Sequence, residues 1–261
     1  MEDGSYTGVV RDKIINARQE SNQLILQPVS LSEVETHWLF YFDLQRNYGA
    51  VNRQILEQAP WMKAPLQTGK GIRLLRQDPW ETTITFILSS NNHIPRITGS
   101  VACLSETYGN HIATRQGVRY HSFPTSEQLK KLSLEQWQAC GAGYRARYLM
   151  QAALQWETCY RQIRQRGTDP GDIDEKTARC LLETLPGVGP KVSACISLFS
   201  LDQRHQFPVD VWVRRRVKEL WSEAPSSDRE MEVAALKLFG DEAGYAQQLI
   251  FYNARKGKSA S

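Results

Sequence analysis

ETLPGVGPKVSACISLFSL, residues 183–201, is the stretch on which the reading of the chain turns. Upstream of it EKTARCLLETL (175–185) reads as a helix, and Pro190, a residue favoured in a first helical turn, opens another. Between them Gly187 and Gly189 stand two apart, which lets the turn take positive φ and brings bare backbone close to a ligand. The backbone N–H groups of Gly187, Gly189 and Val192 can then hold a phosphate at the new helix's N-terminus. Lys191 follows at once and shares a helix face with Cys195, four residues on; Val192, Ile196 and Phe199 form the apolar stripe beside it. The positive end of the helix dipole disfavours a second cation there, and partial burial would do the same. Both effects weaken the amine's hold on its proton, as a nucleophilic lysine requires. Asp210 completes the pattern. It lies in FPVDVWVRRRVKELW (207–221) at the predicted N-cap of a helix with Val213, Val217 and Leu220 on its apolar stripe, made basic by Arg214, Arg215, Arg216 and Lys218.

Outward from this core the chain reads as helices from about residue 76: PWETTITFILSS (79–90), PRITGSVACLSETYG (95–109), TSEQLKKL (125–132), SLEQWQACG (133–141), YRARYLMQAALQWETCYRQI (144–163), DREMEVAALKLFG (228–240) and GYAQQLIFYNAR (244–255). The tail GKSAS (257–261) reads as frayed. Near the start, GVVRDKIINA (8–17) and QLILQP (23–28) flank the polar turn RQESN and predict a β-hairpin. Ser30 and Glu33 then have capping-box spacing before the helical VETHWLFYF (34–42). A hairpin alone is marginal in water, so it needs further strands, a partner or the helical body to pack on. The expected fold is therefore mainly α with a partial N-terminal β-sheet domain, α+β overall, divided into residues 1–75 and 76–258.

Composition sets limits. The chain has 261 residues, 41% hydrophobic and 23% charged, which excludes a disordered, collagen-like or disulfide-stapled miniature class. A net charge of +4 permits an anionic partner without requiring one. No segment approaches the ~20 apolar residues of a membrane span, and MEDGSYTGVV lacks the pattern of a secretory signal. Cysteines 103, 140, 159, 180 and 195 are odd in number, far apart and without C-x-x-C spacing. They argue against a zinc site, an iron–sulfur cluster and a disulfide framework, and for a reducing intracellular compartment.

Taken together, the L-P-G-V-G-P-K string, the lysine and the Pro-Val-Asp some twenty residues on resemble the helix-hairpin-helix DNA glycosylases (hairpin about 178–201). GIRLLRQDPWE (71–81), FILSSNNHIPRITG (86–99), GAGYRARYL (141–149) and AGYAQQLIFYNAR (243–255) narrow the likeness to the 8-oxoguanine DNA glycosylase family. The resemblance implies a base-excision repair enzyme that removes 8-oxoguanine opposite cytosine and then cleaves the strand as a β-lyase. Lys191 matches its catalytic lysine and Schiff-base former, and Asp210 its catalytic aspartate. Cys195 and Phe251 match the residues that sandwich the extruded base, and Gln247 the side chain that reads its Watson–Crick edge. Asn91 matches the plug of the vacated stack; Arg96, Tyr144 and Arg145 match residues around the estranged cytosine. The backbone carbonyls of Glu183, Leu185 and Val188 match a hairpin site for a potassium, sodium or calcium ion beside a DNA phosphate. No cofactor is required and no iron–sulfur cluster is expected.

Damaged double-stranded DNA is the implied partner of a monomer placed in the nucleus of a eukaryote or the cytoplasm and nucleoid of a bacterium. Trp212 stands where the family commonly has histidine, and His93 where it often has asparagine. The family's Gly-Gln-x-Phe-Arg-Trp stretch, whose glycine carbonyl reads N7–H of the lesion, does not occur here. The expectation is that the first strands are missing and that discrimination between 8-oxoguanine and guanine is weakened while Lys191 chemistry is kept. Two other readings fit part of the pattern: a related glycosylase of different base specificity, and a truncated, non-catalytic DNA-binding form, for which a Lys191–Asp210 pair would be surplus.

Overall fold

A computed structural model of the chain describes residues 4–21, 23–165 and 174–256. Asn22 of the expected first turn and the tail 257–261 lie outside them. Near the N-terminus, β1 (Tyr6–Val10), β2 (Lys13–Glu20) and β3 (Gln23–Gln27) form one antiparallel sheet in that order. Gly8 stands opposite Ile15, and Arg18 opposite Ile25. The expected single hairpin is thus three strands. GVVRDKIINA folds back on itself because Arg11 takes a left-handed φ of +57° in the turn between β1 and β2.

Ser30 and Glu33 form the capping box that their spacing predicts. It starts the helical stretch α1, which runs Leu31–Glu33, a π turn Val34–Trp38, and Leu39–Tyr41. Lys13 of β2 pairs with Glu33, which ties the sheet to α1. Two further helices, α2 (Tyr48–Gln58) and α3 (Lys63–Thr68), precede the long helical run.

That run comprises α4 (Pro79–Ser89), α5 (Ile94–Tyr108), α6 (Ser126–Leu129), α7 (Leu134–Ala139), α8 (Ala146–Arg164), α9 (Glu175–Leu182), α10 (Pro190–Ser200), α11 (Val211–Leu220), α12 (Asp228–Phe239) and α13 (Ala243–Lys256). It matches the helices read from periodicity. One interruption does not: β4 (His111–Arg115) and β5 (Val118–His121) form a hairpin. Its turn places Gln116 and Gly117 both at positive φ, +50° and +79°.

Most of the buried apolar side chains of the helices fall into two clusters, while Ile14, Ile15 and Trp38 are buried outside both. Ile84, Leu88, Trp137, Leu149, Trp156, Leu182 and Ile196 anchor the first, from α4 to α10. Phe207, Val213, Val217, Met231, Phe239 and Leu249 anchor the second, from α11 to α13. The second also holds Val51, Ile55, Met62 and Leu74. By packing, therefore, α2 belongs with the C-terminal helices rather than with the strands of the expected 1–75 unit.

Helix α10 serves both clusters: Val192 and Ile196 are buried in the first and Leu198 in the second. Gly244 of α13 lets these helices approach, since a Cβ there would lie 2.2 Å from a Leu198 methyl. The residue that opens α10 therefore stands at the seam between the two clusters.

One cysteine expectation is corrected. Cys103 of α5 and Cys140, just after α7, are joined in a disulfide with Cα atoms 5.4 Å apart. Their separation of 37 residues carries no sequence signal, because the fold alone brings α5 against the end of α7. Among the described residues no helix is long and apolar enough to cross a membrane.

Candidate active site and nucleic-acid interface

Helix α9 ends at Leu182, and Gly187 then reverses the chain with φ +85°. Glycine is required at that position twice over. The φ is left-handed, and a Cβ would lie 2.9 Å from Cβ of Tyr148 and 3.1 Å from a methyl of Ile87. Gly189 differs from the expectation of two positive-φ glycines. It is extended, at φ −102° and ψ −176°, and a Cβ there would meet no protein atom within 4 Å. Nothing inside the fold demands glycine at 189; what its missing side chain provides is open space outside the hairpin.

Pro190 opens α10, and Lys191 follows in its first turn. The lysine is exposed, so the partial burial expected for it is not observed. Its ammonium lies 5.6 Å from the ring centre of Phe86 on α4, and its charge bears on the Cys195 thiol. Burial pushes that thiol up to about 11, Lys191 draws it partly back, and the Asp210 charge pushes it further. At neutral pH Cys195 is therefore a protonated, apolar wall and not a competing nucleophile. Asp210 caps α11 as predicted, its Oδ1 accepting the Val213 N–H at 2.8 Å.

Gln247 and Phe251, four apart on α13, come to the same seam. Gln247 is only 4% exposed; its Nε2 donates to the Pro208 carbonyl at 2.9 Å, and its Oε1 accepts from Gln248 at 2.7 Å. Phe251 is half-buried against the second cluster. The Arg255 guanidinium lies 5.9 Å from the Phe251 ring and 5.6 Å from that of Trp212. Trp212 also borders a cleft of about 420 Å³ lined by Thr68, Arg215, Arg216, Asn253 and Lys256. The basic face expected of α11 is partly spent: Arg214 pairs with Asp228, and Arg216 with Glu219 and Asn253.

A second group lies across the seam. Asn91 is exposed with φ +48°, at the end of α4. His93 caps α5 by accepting the Arg96 N–H, and Arg96 is exposed. Tyr144 is 60% exposed, with its hydroxyl donating to the Ser90 carbonyl. Arg145 differs from its neighbours: it is 3% exposed, and its guanidinium donates to the backbone carbonyls of Ser90, Asn91 and Ala142. In this state it shapes the Asn91 turn instead of presenting donors to solvent. Sequence reasoning did not single out Ser90, Phe86, Pro208 or Gln248, because a partner reached through a backbone carbonyl or a ring face leaves no spacing signal.

A helical hairpin with a glycine turn, followed by a lysine and by an aspartate that caps the next helix, defines a class. The chain matches the HhH-GPD superfamily of base excision DNA repair proteins over residues 84–240. Residues 1–83 match the N-terminal domain of 8-oxoguanine DNA glycosylase, and the chain belongs to that glycosylase family.

The N-glycosylase/DNA lyase of Saccharomyces cerevisiae is 33% identical over 95% of this chain and 75% of its own length. That of Arabidopsis thaliana is 38% identical over 70% of this chain and 52% of its own. Among solved structures, the 8-oxoguanine glycosylase/lyase of Clostridium acetobutylicum, in complex with double-stranded DNA containing cytosine opposite 8-oxoG, superposes with a TM-score of 0.91. It is 31% identical, over 99% of this chain and 87% of that one.

Proposed function

We propose that the chain is a bifunctional DNA glycosylase and lyase of base excision repair that removes 8-oxoguanine opposite cytosine from double-stranded DNA. The observation that carries this reading is that Lys191 in the first turn of α10 and Asp210 at the start of α11 both act on the buried Cys195 thiol, while Gln247 of α13 is bonded to Pro208, two residues before Asp210. Its substrate follows from the family and from the DNA that the Clostridium relative holds.

Chemistry on a base in a duplex requires its extrusion, at a cost of a few kcal/mol. Stacking on Phe251 returns about 1–3 kcal/mol, and Asn91 fills the gap left behind. Gln247 reads the base edge, while Arg96 and Tyr144 serve the estranged cytosine, joined by Arg145 once it exchanges its bonds to the Ser90 and Asn91 carbonyls for bonds to the base. Hairpin N–H groups at Gly187, Gly189 and Val192 hold a backbone phosphate, for which the open space beside Gly189 leaves room. The carbonyls of Glu183, Leu185 and Val188 would hold a potassium, sodium or calcium ion there; that of Leu185 already accepts the Val188 N–H and keeps a second lone pair.

In the reaction the Lys191 amine forms a bond to C1′ as the C1′–N9 bond breaks and the base leaves with that electron pair. Asp210 stabilises the positive charge that develops on the sugar. Opening of the sugar ring gives the Schiff base. Loss of a C2′ proton then expels the 3′-phosphate by β-elimination, and water releases the lysine.

Borohydride trapping tests this on 8-oxoguanine·C, guanine·C and abasic·C duplexes, with Lys191→Gln alongside. The expected result is a covalent adduct with the first and third duplexes, weaker with guanine·C and absent in the variant. Trapping that survives Lys191→Gln would overturn the assignment of the nucleophile; binding without any adduct would favour a non-catalytic DNA-binding protein.

A further inference from the structure

Gln247 is described above as buried, with both ends of its amide engaged. The Pro208 carbonyl can only accept, so the end that faces it must be the NH₂ group. The carbonyl end then faces Gln248, whose Nε2 donates to it at 2.7 Å. An amide carries two donor hydrogens and two acceptor lone pairs, and these bonds use one of each. One donor and one acceptor therefore remain, the donor at the end toward Pro208 and the acceptor at the end toward Gln248, an order already set before any base arrives.

Order is what separates two classes of purine. A 6-oxopurine presents an acceptor, O6, next to a donor, N1–H. A 6-aminopurine presents the reverse, a donor at N6 next to the acceptor N1. An amide that can turn over satisfies either; one held at both ends satisfies one.

We infer that Gln248 is a positioning residue for lesion specificity: with the Pro208 carbonyl it locks the Gln247 amide so that the pocket accepts a 6-oxopurine edge and refuses a 6-aminopurine edge. The inference rests on the proposed function, in which Gln247 reads the base. Gln248 itself touches neither base nor sugar in this scheme, and the lyase step at Lys191 does not depend on it.

The experiment compares the unaltered chain with Gln248→Glu, which keeps the shape and packing but sets an acceptor against the Gln247 oxygen. Gln248→Met, of similar length with neither polar end, is the second variant should the first fail to fold. Single-turnover excision is followed at pH 8 on 8-oxoguanine·C and 8-oxoadenine·C duplexes, and strand cleavage on a preformed abasic·C duplex. The loss of one hydrogen bond predicts a fall of about tenfold in 8-oxoguanine excision. Excision of 8-oxoadenine should not fall with it, and abasic-site cleavage should stay within about twofold, as expected of a residue that acts only on base reading. Unchanged 8-oxoguanine excision, or an equal fall on all three duplexes, overturns the inference while leaving the function standing. An unaltered chain that excises no 8-oxoguanine overturns the function and the inference together.

Discussion

At the scale of single residues, the two hairpin glycines separate folding from binding. Gly187 is needed by the protein itself: its φ is +85°, and Tyr148 and Ile87 crowd the place a Cβ would take. Gly187→Ala should therefore cost about 1–3 kcal/mol of stability through strain and displaced packing, visible as a lowered melting temperature. Gly189 is extended and faces open space. Gly189→Ala should leave the melting temperature within about 2 °C of the unaltered chain, as expected of a surface change of less than about 0.5 kcal/mol. It should weaken binding to duplex DNA by severalfold, because the added methyl occupies the approach of the phosphate. Thermal melts paired with DNA titrations at one salt concentration check both. A Gly189→Ala protein that binds DNA as before would show that no phosphate comes so close at that position. The same logic makes Asp210 a dual residue, since its side chain both caps α11 and bears on the Cys195–Lys191 pair.

At the scale of elements, the disulfide is the least expected feature. It fastens α5, whose first turn carries Arg96, to the end of α7, from which the chain runs directly into Tyr144 and Arg145. Gly141 of this crossing has φ +80°, and a Cβ there would lie 2.9 Å from the Ser100 hydroxyl of α5, so the backbones are close with or without the covalent link. Closing a loop of 37 residues is worth about 2–4 kcal/mol. Reduction with dithiothreitol, or Cys103→Ser, should lower the melting temperature by roughly 5–12 °C, and the two losses should not add. A melt insensitive to reductant would show the thiols to be unpaired in solution.

What was legible at this scale follows from where the physical signal resides. The helices of the helical body were readable because Pro at first turns, capping residues such as Asp78, Ser133 and Asp210, and 3.6-residue apolar stripes are local. The turn between β1 and β2 and the β4–β5 hairpin were not, because Arg11 and Gln116 fill left-handed positions that Asn, Asp or Gly usually mark, and Gly117 alone is too weak a signal. Lys191, Cys195 and Asp210 were readable through one motif. The burial of Arg145 and the Pro208–Gln247–Gln248 chain were not, since both depend on backbone carbonyls brought near by tertiary folding.

At the scale of the whole molecule, one buried carboxylate joins the N-terminal segment to the rest. Asp43 follows α1, is 4% exposed and also has a positive φ, +50°. Its carboxylate accepts the Tyr48 hydroxyl at 2.7 Å and pairs with Arg76 at 3.0 Å and Arg204 at 3.2 Å. Arg76 and Arg204 both reach Asp202, and the backbone adds Arg76 N–H to the Tyr41 carbonyl and Gln77 N–H to that of Phe199, at the end of α10. The path from the sheet and α1 to the helix that carries Lys191 in its first turn is thus one polar network, not a loose linker. Replacing this carboxylate by a neutral amide leaves Asp202 as the one remaining anion for two guanidiniums at low exposure. Asn tolerates left-handed φ as Asp does, so Asp43→Asn removes the charge and keeps the turn. It should cost about 2–3 kcal/mol, less than a fully buried pair would because both arginines keep some contact with water. Hydrogen exchange should quicken in β1–β3 and α1 before it does in α4 or α8, since only the former depend on this junction for their place on the body. Uniform acceleration across all helices would mean that the sheet, the two halves and the active-site seam unfold as one unit, with Asp43 supporting the whole molecule rather than its N-terminal attachment.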